Sequence, residues 1–330
     1  MIATELQEEI EQTYRGAPAA VSVVVPSHNH ARFIEATLRS IMQQTLWPAN
    51  LLVIDDGSSD DSPAIIERML NECPFSCEFV ARDNRGLCAT LNEAFERTRG
   101  EYFAYLGSDD LWLPNFLKAR VQLLESRPDA VLAYGHTYFV DEENRVVDCT
   151  ADWASYADGD VREMLLGTTA PMSPTVLYRR SALGQQRWNE RSKLEDYDLY
   201  LRLSAAGPFA FDPRVLSAWR RHGSNISWDQ TMMLEEQLKA QREAALRFGL
   251  SDEQVKELQR ATRFNRAEDF LRVGDKSQAL SLLTRNLRGA QSARGTAKIL
   301  LRLLMPNSFM RGRARVRQRK AHQRYGTIDV

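Results

Sequence analysis

Four short apolar runs, each separated from the next by a segment with helical spacing, dominate the first third of the chain. Val21-Ser-Val-Val-Val25 is a compact β-branched run ended by Pro26. Leu51-Leu-Val-Ile54, Cys77–Val80 and Tyr102–Leu106 repeat the theme. Runs this short and this apolar read as buried strands. Between them, residues 31–44 set Phe33, Ile34, Leu38, Ile41 and Met42 at helical intervals. Residues 62–71 have Asp61 or Ser62 as a cap and Pro63 in the first turn, and residues 87–98 supply a third helix. The order β-α-β-α-β-α-β predicts an α/β fold: a Rossmann-like domain with a mainly parallel central sheet, covered on both faces. In such sheets ligands sit beyond the carboxyl ends of the strands. Three polar loops lie there, Pro26–His30, Asp55–Asp60 and Gly107–Asp110, so several carboxylates are expected along one rim.

Beyond residue 111 the alternation stops. Residues 115–126, 160–167 and 195–206 read as helices; 130–140, 174–179 and 209–219 read as strands, the last with a break at Pro213. From 230 onward the pattern is helical: 230–248, 252–273, 276–288 and 292–305, with a hairpin turning at Gly274-Asp275. Residues 4–15 look like a helical lead-in. The expected division is therefore a lead-in (1–19), an α/β domain (20–228) and a C-terminal helical region with a basic tail (229–330).

Composition excludes several classes. Apolar residues at 43% and charged residues at 26% are ordinary globular values. No run approaches the ~20 apolar residues that cross a bilayer, and the polar, acidic N-terminus does not read as a secretory signal. Four cysteines are too few for a disulfide framework and suit a reducing, cytoplasmic setting. Cys73 and Cys77 read as ordinary thiols, and Cys88 has no evident catalytic partner. The net charge of −1 conceals an asymmetry. Residues 285–324 carry twelve Lys/Arg and no Asp or Glu, leaving 31 basic against 44 acidic residues elsewhere. An acidic body with a basic tail suggests two jobs. The tail, with apolar residues 296–305 before it, is either a docked helix followed by a solvated charge run or an attachment to an anionic membrane surface at the inner face of the plasma membrane. Nucleic acid is the weaker reading. The helices leave self-association open.

Asp109-Asp110 directly follows the apolar strand Tyr102–Leu106. Such a pair is either a solvated turn or a site for a hard cation such as Mg²⁺ or Mn²⁺. Glu195-Asp196 opens a helix with Leu199, Leu201 and Leu203 on its apolar side, where acids also complement the helix dipole. Arg202 solvates that helix or pairs with one of its acids. His28-Asn29-His30 has no cysteine or acid at zinc spacing and reads as loop chemistry. A dinucleotide-binding oxidoreductase would need G-x-G-x-x-G after the first strand, and Pro26-Ser-His-Asn-His30 contains no glycine.

Taken together, VSVVVPSHNHARFIEATLRSIMQQT (21–45), LLVIDDGSSDDS (51–62), DNRGLCATLNEAFERTRGEYFAYLGSDDLWLP (83–114) and KLEDYDLYLRLSAAG (193–207) resemble the family 2 glycosyltransferases of GT-A fold. The resemblance spans about residues 20–225. It implies inverting transfer of a sugar from a nucleotide-diphosphate donor, first of all a UDP-sugar, to a saccharide or lipid-linked saccharide, as in bacterial surface polysaccharide assembly. By the same resemblance Pro26 and Asn29 lie against the nucleotide, Asp56 contacts the base, and Asp55 steadies the loop. Arg85 and Gly86 match a turn that approaches the nucleotide, and Asp109 lies near the ribose. Asp110 matches the ligand of Mn²⁺ or Mg²⁺ in a Ser-Asp-Asp variant of the family's motif. Asp196, the second acid of the pair after Glu195, matches the catalytic base. Arg220 and His222 reach the diphosphate or the metal, unless His222 is a structural histidine. An inactive sugar-nucleotide-binding module or a scaffold is the alternative.

Overall fold

The structure is a computed structural model and describes residues 19–184, 186–223, 229–290 and 292–330. The lead-in expected at 4–15 lies outside them. Strands β1 (Ala19–Ser27), β2 (Pro48–Asp56), β3 (Cys77–Arg82) and β4 (Tyr102–Tyr105) alternate with helices α1 (Ile34–Met42), α2 (Ser62–Leu70) and α3 (Leu87–Arg97). The four strands pair in parallel, in the order β3-β2-β1-β4. Their apolar continuity has a direct cause. Val24, Leu52, Ile54, Phe103 and Tyr105 enter one buried cluster, and Val21, Val23, Val25, Leu51, Val53 and Ala104 enter another. Successive side chains point to opposite faces of a strand, so both faces are core, as the sequence predicts. Helix α3 covers the first face through Leu91, Ala94 and Phe95. Helices α1 and α2 cover the second through Ile34, Leu38, Ile41, Ile66 and Met69.

The second half of the sheet mixes directions. It adds β5 (Leu111–Trp112), α4 (Phe116–Ser126), β6 (Leu132–Val140), β7 (Val146–Cys149), α5 (Arg162–Leu166), β8 (Leu177–Arg179), α6 (Arg180–Leu183), α7 (Glu195–Leu203) and β9 (Phe209–Arg220). The order continues β4-β8-β6-β9-β5, with β7 beside β6. Strand β8 is shorter than the predicted 174–179. Pro174 has no N–H for a ladder, and Ser173–Thr175 instead forms a 3₁₀ turn. Strands β5 and β7 are new relative to the sequence reading. Strand β9 runs parallel to β6 and antiparallel to β5, with Leu111 opposite Ala218.

The remaining helices are α8 (Gln230–Phe248), α9 (Asp252–Val273), α10 (Lys276–Arg285), α11 (Ala293–Leu304) and α12 (Asn307–Tyr325). Ser251 and Gln254 close a reciprocal capping box on α9. Leu234, Leu238, Phe264, Phe270, Leu283 and Ile299 make a third apolar cluster. Ala240 and Ala244 of α8 belong to the cluster beneath the sheet, so α8 is shared between the two cores. The basic run, read from the sequence as either a solvated charge run or a membrane attachment, is the helix α12. Its last residues return to the sheet, where Tyr325, Ile328 and Val330 pack against Leu111, Val140, Val146 and Ala218. Among the described residues no helix is long and apolar enough to cross a membrane.

Candidate active site

Parallel pairing of β1, β2 and β4 places their carboxyl ends on one rim, and the loops there are knitted side chain to backbone. Asn29 adopts a left-handed conformation (φ 55°) that asparagine tolerates better than most residues. Its carboxamide oxygen accepts from the Ser59 N–H at 2.8 Å, and its own N–H donates to Ser58 Oγ at 2.8 Å. Asp55 accepts from the Ser58 N–H and hydroxyl at 2.9 and 2.6 Å. Asp56, buried, accepts the N–H groups of Arg85 and Gly86, both at 2.8 Å, and pairs with the Arg82 guanidinium. Gly86 reaches this geometry at φ 88°, which suits glycine alone. Asp56 thus ties the second loop to the start of α3. Pro26 lies within β1, paired with Ile54 in the ladder.

The strand β5 sets the next group. Because Leu111 pairs with Ala218, the preceding Asp109-Asp110 comes to lie beside Arg220 and His222. Asp110 is buried, and its Oδ1 accepts the Arg220 N–H at 2.9 Å. Burial, with the charge of Asp109 beside it, pushes the Asp110 carboxyl well above the usual range. The Arg220 guanidinium donates to the carbonyls of Asp109 and Asp141 at 2.7 and 2.9 Å. His222 Nε2 lies 2.7 Å from Asp109 Oδ2, and His30 Nδ1 lies 3.9 Å from Asp109 Oδ1. His30 also shares a 2.7 Å hydrogen bond with the Ser108 hydroxyl. Ligand atoms of His30, Asp109 and His222 all lie within 4.8 Å of one another. Asp109 Oδ1 and Asp110 Oδ2 both crowd Gly107, which has no side chain to fill that space.

The sequence reading set the metal on Asp110 and His222 and left His30 to loop chemistry. The structure gathers His30, Asp109 and His222, and turns one Asp110 oxygen onto a backbone amide. The donor set, two imidazoles and a carboxylate with a second carboxylate oxygen close by, suits a first-row divalent ion. Burial lowers the His30 titration, which favours the neutral form that ligates.

The second acid pair sits at the start of α7. Asp196 Oδ1 accepts the Tyr197 N–H at 2.6 Å. Asp198 in the same turn pairs with Arg202 at 2.8 Å. Burial and mutual repulsion raise the Glu195 titration, and burial raises that of Asp196, so the two titrate as a coupled pair well above ordinary carboxylates. Around them stand Tyr105, Tyr178 and Tyr200, whose buried hydroxyls have no hydrogen-bond partner among the described residues. Tyr105 and Tyr178 feel the charges of both acids, and Tyr200 that of Asp196. The nearby Cys88 thiol is pushed up to about 12 by burial and these acids, which removes it as a nucleophile. Tyr105 ends β4, and Asp109 follows four residues later, so one strand leads to both acid pairs. Sequence reasoning passed over His30 and the three tyrosines. The tyrosines did carry a signal, since a phenol inside an apolar strand needs a polar neighbour.

A sheet of order 3-2-1-4 with loop carboxylates gathered at its carboxyl rim defines an α/β protein with an acidic site at its strand ends. Residues 22–186, half of the chain, match the model of glycosyl transferase family 2, and the chain belongs to that family. It is similar to the chondroitin synthase of Escherichia coli, 28% identical over 248 residues, which cover 74% of this chain and 35% of that protein. The chain thus spans about a third of that relative's length. Among solved structures it is similar to Staphylococcus aureus TarS 1–349 in complex with UDP-GlcNAc (TM-score 0.58, 16% identity, 94% of this chain and 93% of that one). It is equally similar to the mannosyltransferase PcManGT of Pyrobaculum calidifontis in complex with GDP-Man and Mn²⁺ (0.58, 17%, 97% and 93%). Both likenesses support the GT-A fold.

Proposed function

We propose that this chain is an inverting glycosyltransferase that moves a sugar from a nucleotide-diphosphate donor to a hydroxyl of a saccharide or lipid-linked saccharide. A UDP-sugar is the first candidate donor, given the UDP-GlcNAc in the TarS structure. Surface polysaccharide is the product class, in keeping with the synthase relative. Residues 20–228 would form the catalytic unit and 229–330 a helical region attached to it. The observation that supports the reading is the arrangement at the strand ends: two histidines and an aspartate placed so that they could hold a cation after β4, and a buried acid pair with raised titration beside the same strand.

His30, Asp109 and His222, with Asp110 at their edge, would hold a divalent ion such as Mn²⁺, which when bound neutralises charge on the leaving diphosphate. The chain's own groups do the rest. Asp56, Arg85 and Gly86, with Pro26, Asn29 and the loop that Asp55 steadies, form the edge against which the base and ribose would lie. Arg220 adds positive charge beside the acids. Asp196 takes the proton of the acceptor hydroxyl as that oxygen bonds to the anomeric carbon. The bond from that carbon to the diphosphate oxygen breaks, and its electron pair leaves with the nucleotide. Burial raises the Asp196 titration to about 6, toward neutrality, which suits a general base.

The test is release of nucleoside diphosphate from a panel of UDP-, GDP- and dTDP-sugars with Mn²⁺ and simple saccharide acceptors. One donor should be consumed in a Mn²⁺-dependent manner. Binding of a donor without any turnover would instead favour a binding module.

A further inference from the structure

The last forty residues carry a surface that the catalytic reading leaves unused. Helix α11 buries Ile299 and packs Leu303 against the third cluster, yet Leu300, Leu301 and Leu304 are 43, 56 and 81% exposed. At about 100° per residue these three leucines and Ala297 fall on one outward stripe. Exposed Arg294 and Lys298 flank it. Helix α12 buries no residue at all, and Phe309 and Val316 stand half-exposed among its arginines. A water-soluble surface seldom spends this much apolar area on solvent without a partner.

The charges of this region are only partly compensated. Arg302 pairs with Glu268, and Arg317 and Arg324 reach Asp148 and Asp152. Arg311, Arg313, Arg315, Arg319 and Lys320 make no ion pair among the described residues. Nor is α12 a loose tail. The Val146 N–H donates to the Gly326 carbonyl and the Ile328 N–H to the Asn144 carbonyl, each at 3.0 Å, and Arg145 bridges Thr327 in antiparallel fashion. The helix is anchored to the β6–β7 hairpin, with Arg311, Arg313, Arg315, Arg319 and Lys320 left to solvent.

We propose that α11 and α12 form a docking face for a lipid bilayer bearing anionic headgroups. The leucines and Phe309 enter the acyl boundary, and the unpaired arginines lie among the headgroups. Charge complementarity selects this occupant. A second copy docked through the same face would bring cation against cation. Nucleic acid would engage the arginines and leave the leucines in water. The inference does not depend on the proposed transfer reaction.

The experiment is co-sedimentation of the full chain with vesicles of phosphatidylcholine alone and of phosphatidylcholine with phosphatidylglycerol. Binding to the anionic vesicles should exceed binding to neutral ones by roughly tenfold or more, and raised salt should release most of it. Two variants at exposed positions, checked for an unchanged melting temperature, separate the contributions. Leu300→Ser with Leu301→Ser and Leu304→Ser removes the apolar stripe. Arg311→Gln with Arg313→Gln and Arg315→Gln removes the cations. Each should weaken binding by about tenfold. Absence of vesicle binding, or binding undiminished in the leucine variant, would overturn the proposal. So would a leucine-dependent dimer, or duplex DNA binding, in a chain that ignores vesicles.

Discussion

Asp109-Asp110 and Glu195-Asp196 are both adjacent acid pairs at the edge of the same sheet, yet their neighbours are opposite in kind. The first pair faces two imidazoles and a guanidinium, groups that accept or resemble a cation. The second faces phenols and a thiol, groups that leave the acids to share protons. The backbone explains the split. Asp109 and Asp110 precede the short pairing of β5 with β9, so one carboxylate turns toward His222 and the other toward the Arg220 amide. Glu195 and Asp196 sit in a first helical turn, lodged beside the tyrosines of β4 and β8. Two acids in sequence therefore define no chemistry until the surrounding charges are known.

The sharpest way to break this contrast is Asp196→Asn. The variant should lose transfer by about 10²–10⁴-fold, the usual contribution of a positioned base, while calorimetric donor affinity stays near normal. Normal turnover would dissolve the distinction between the pairs. Next in size, Asp109→Asn or His222→Ala should weaken Mn²⁺ binding by about tenfold or more, since even partners that merely support a ligand cost that much. Asp110→Asn sharpens the comparison because its carboxamide oxygen can still accept the Arg220 N–H. It should melt close to the parent while losing Mn²⁺ affinity, whereas Asp110→Ala should also lower stability, by about 1–3 kcal/mol, through the orphaned amide.

The halves of this contrast were unequally legible in the sequence. The β-α alternation and the three rim loops follow from local signals, because β-branched runs and helical spacing are written over several residues each. The acids were visible as motifs for the same reason. Their environments were not. β5 spans two residues, too short for any periodicity, yet its register brings Asp109 to His222. His30 joins the cluster by packing edge-on against His222, with ring centroids 5.4 Å apart, a contact between residues far apart in the chain. The helix at 307–325 did have a local signal, since arginine is a good helix former, but its charge drew the reading toward a solvated run or a membrane attachment rather than a helix. Its return to the β6–β7 hairpin is a long-range pairing that composition does not record.

Stability against pH offers a smaller test that the two pairs differ. Glu195 and Asp196 titrate higher folded than unfolded, so the native state holds protons that the unfolded chain releases. Stability from this pair is greatest below about pH 4, where unfolded carboxyls titrate. It then falls as pH rises through the raised titration of the folded pair. Asp196→Asn removes one of the repelling charges. Its melting temperature should exceed that of the parent by a few degrees at pH 8, and the gap should close near pH 4.

The smallest effect concerns Tyr105, whose hydroxyl lies close enough to Glu195 to pull that acid's titration down. A hydrogen-bond donor near a carboxylate favours the charged form. Tyr105→Phe keeps the ring that packs against Trp188, with centroids 6.0 Å apart, and deletes only the donor. The cost in stability should be small, because the hydroxyl sits near Glu195 without forming a well-aligned hydrogen bond among the described residues. The coupled pair should then hold its protons to higher pH. The acid limb of kcat/KM should move upward by a few tenths of a pH unit, with donor affinity unchanged. A downward move would mean that the phenol serves the protonated acid as an acceptor. No move at all would place Tyr105 outside the proton-holding group and leave it as packing beneath the rim.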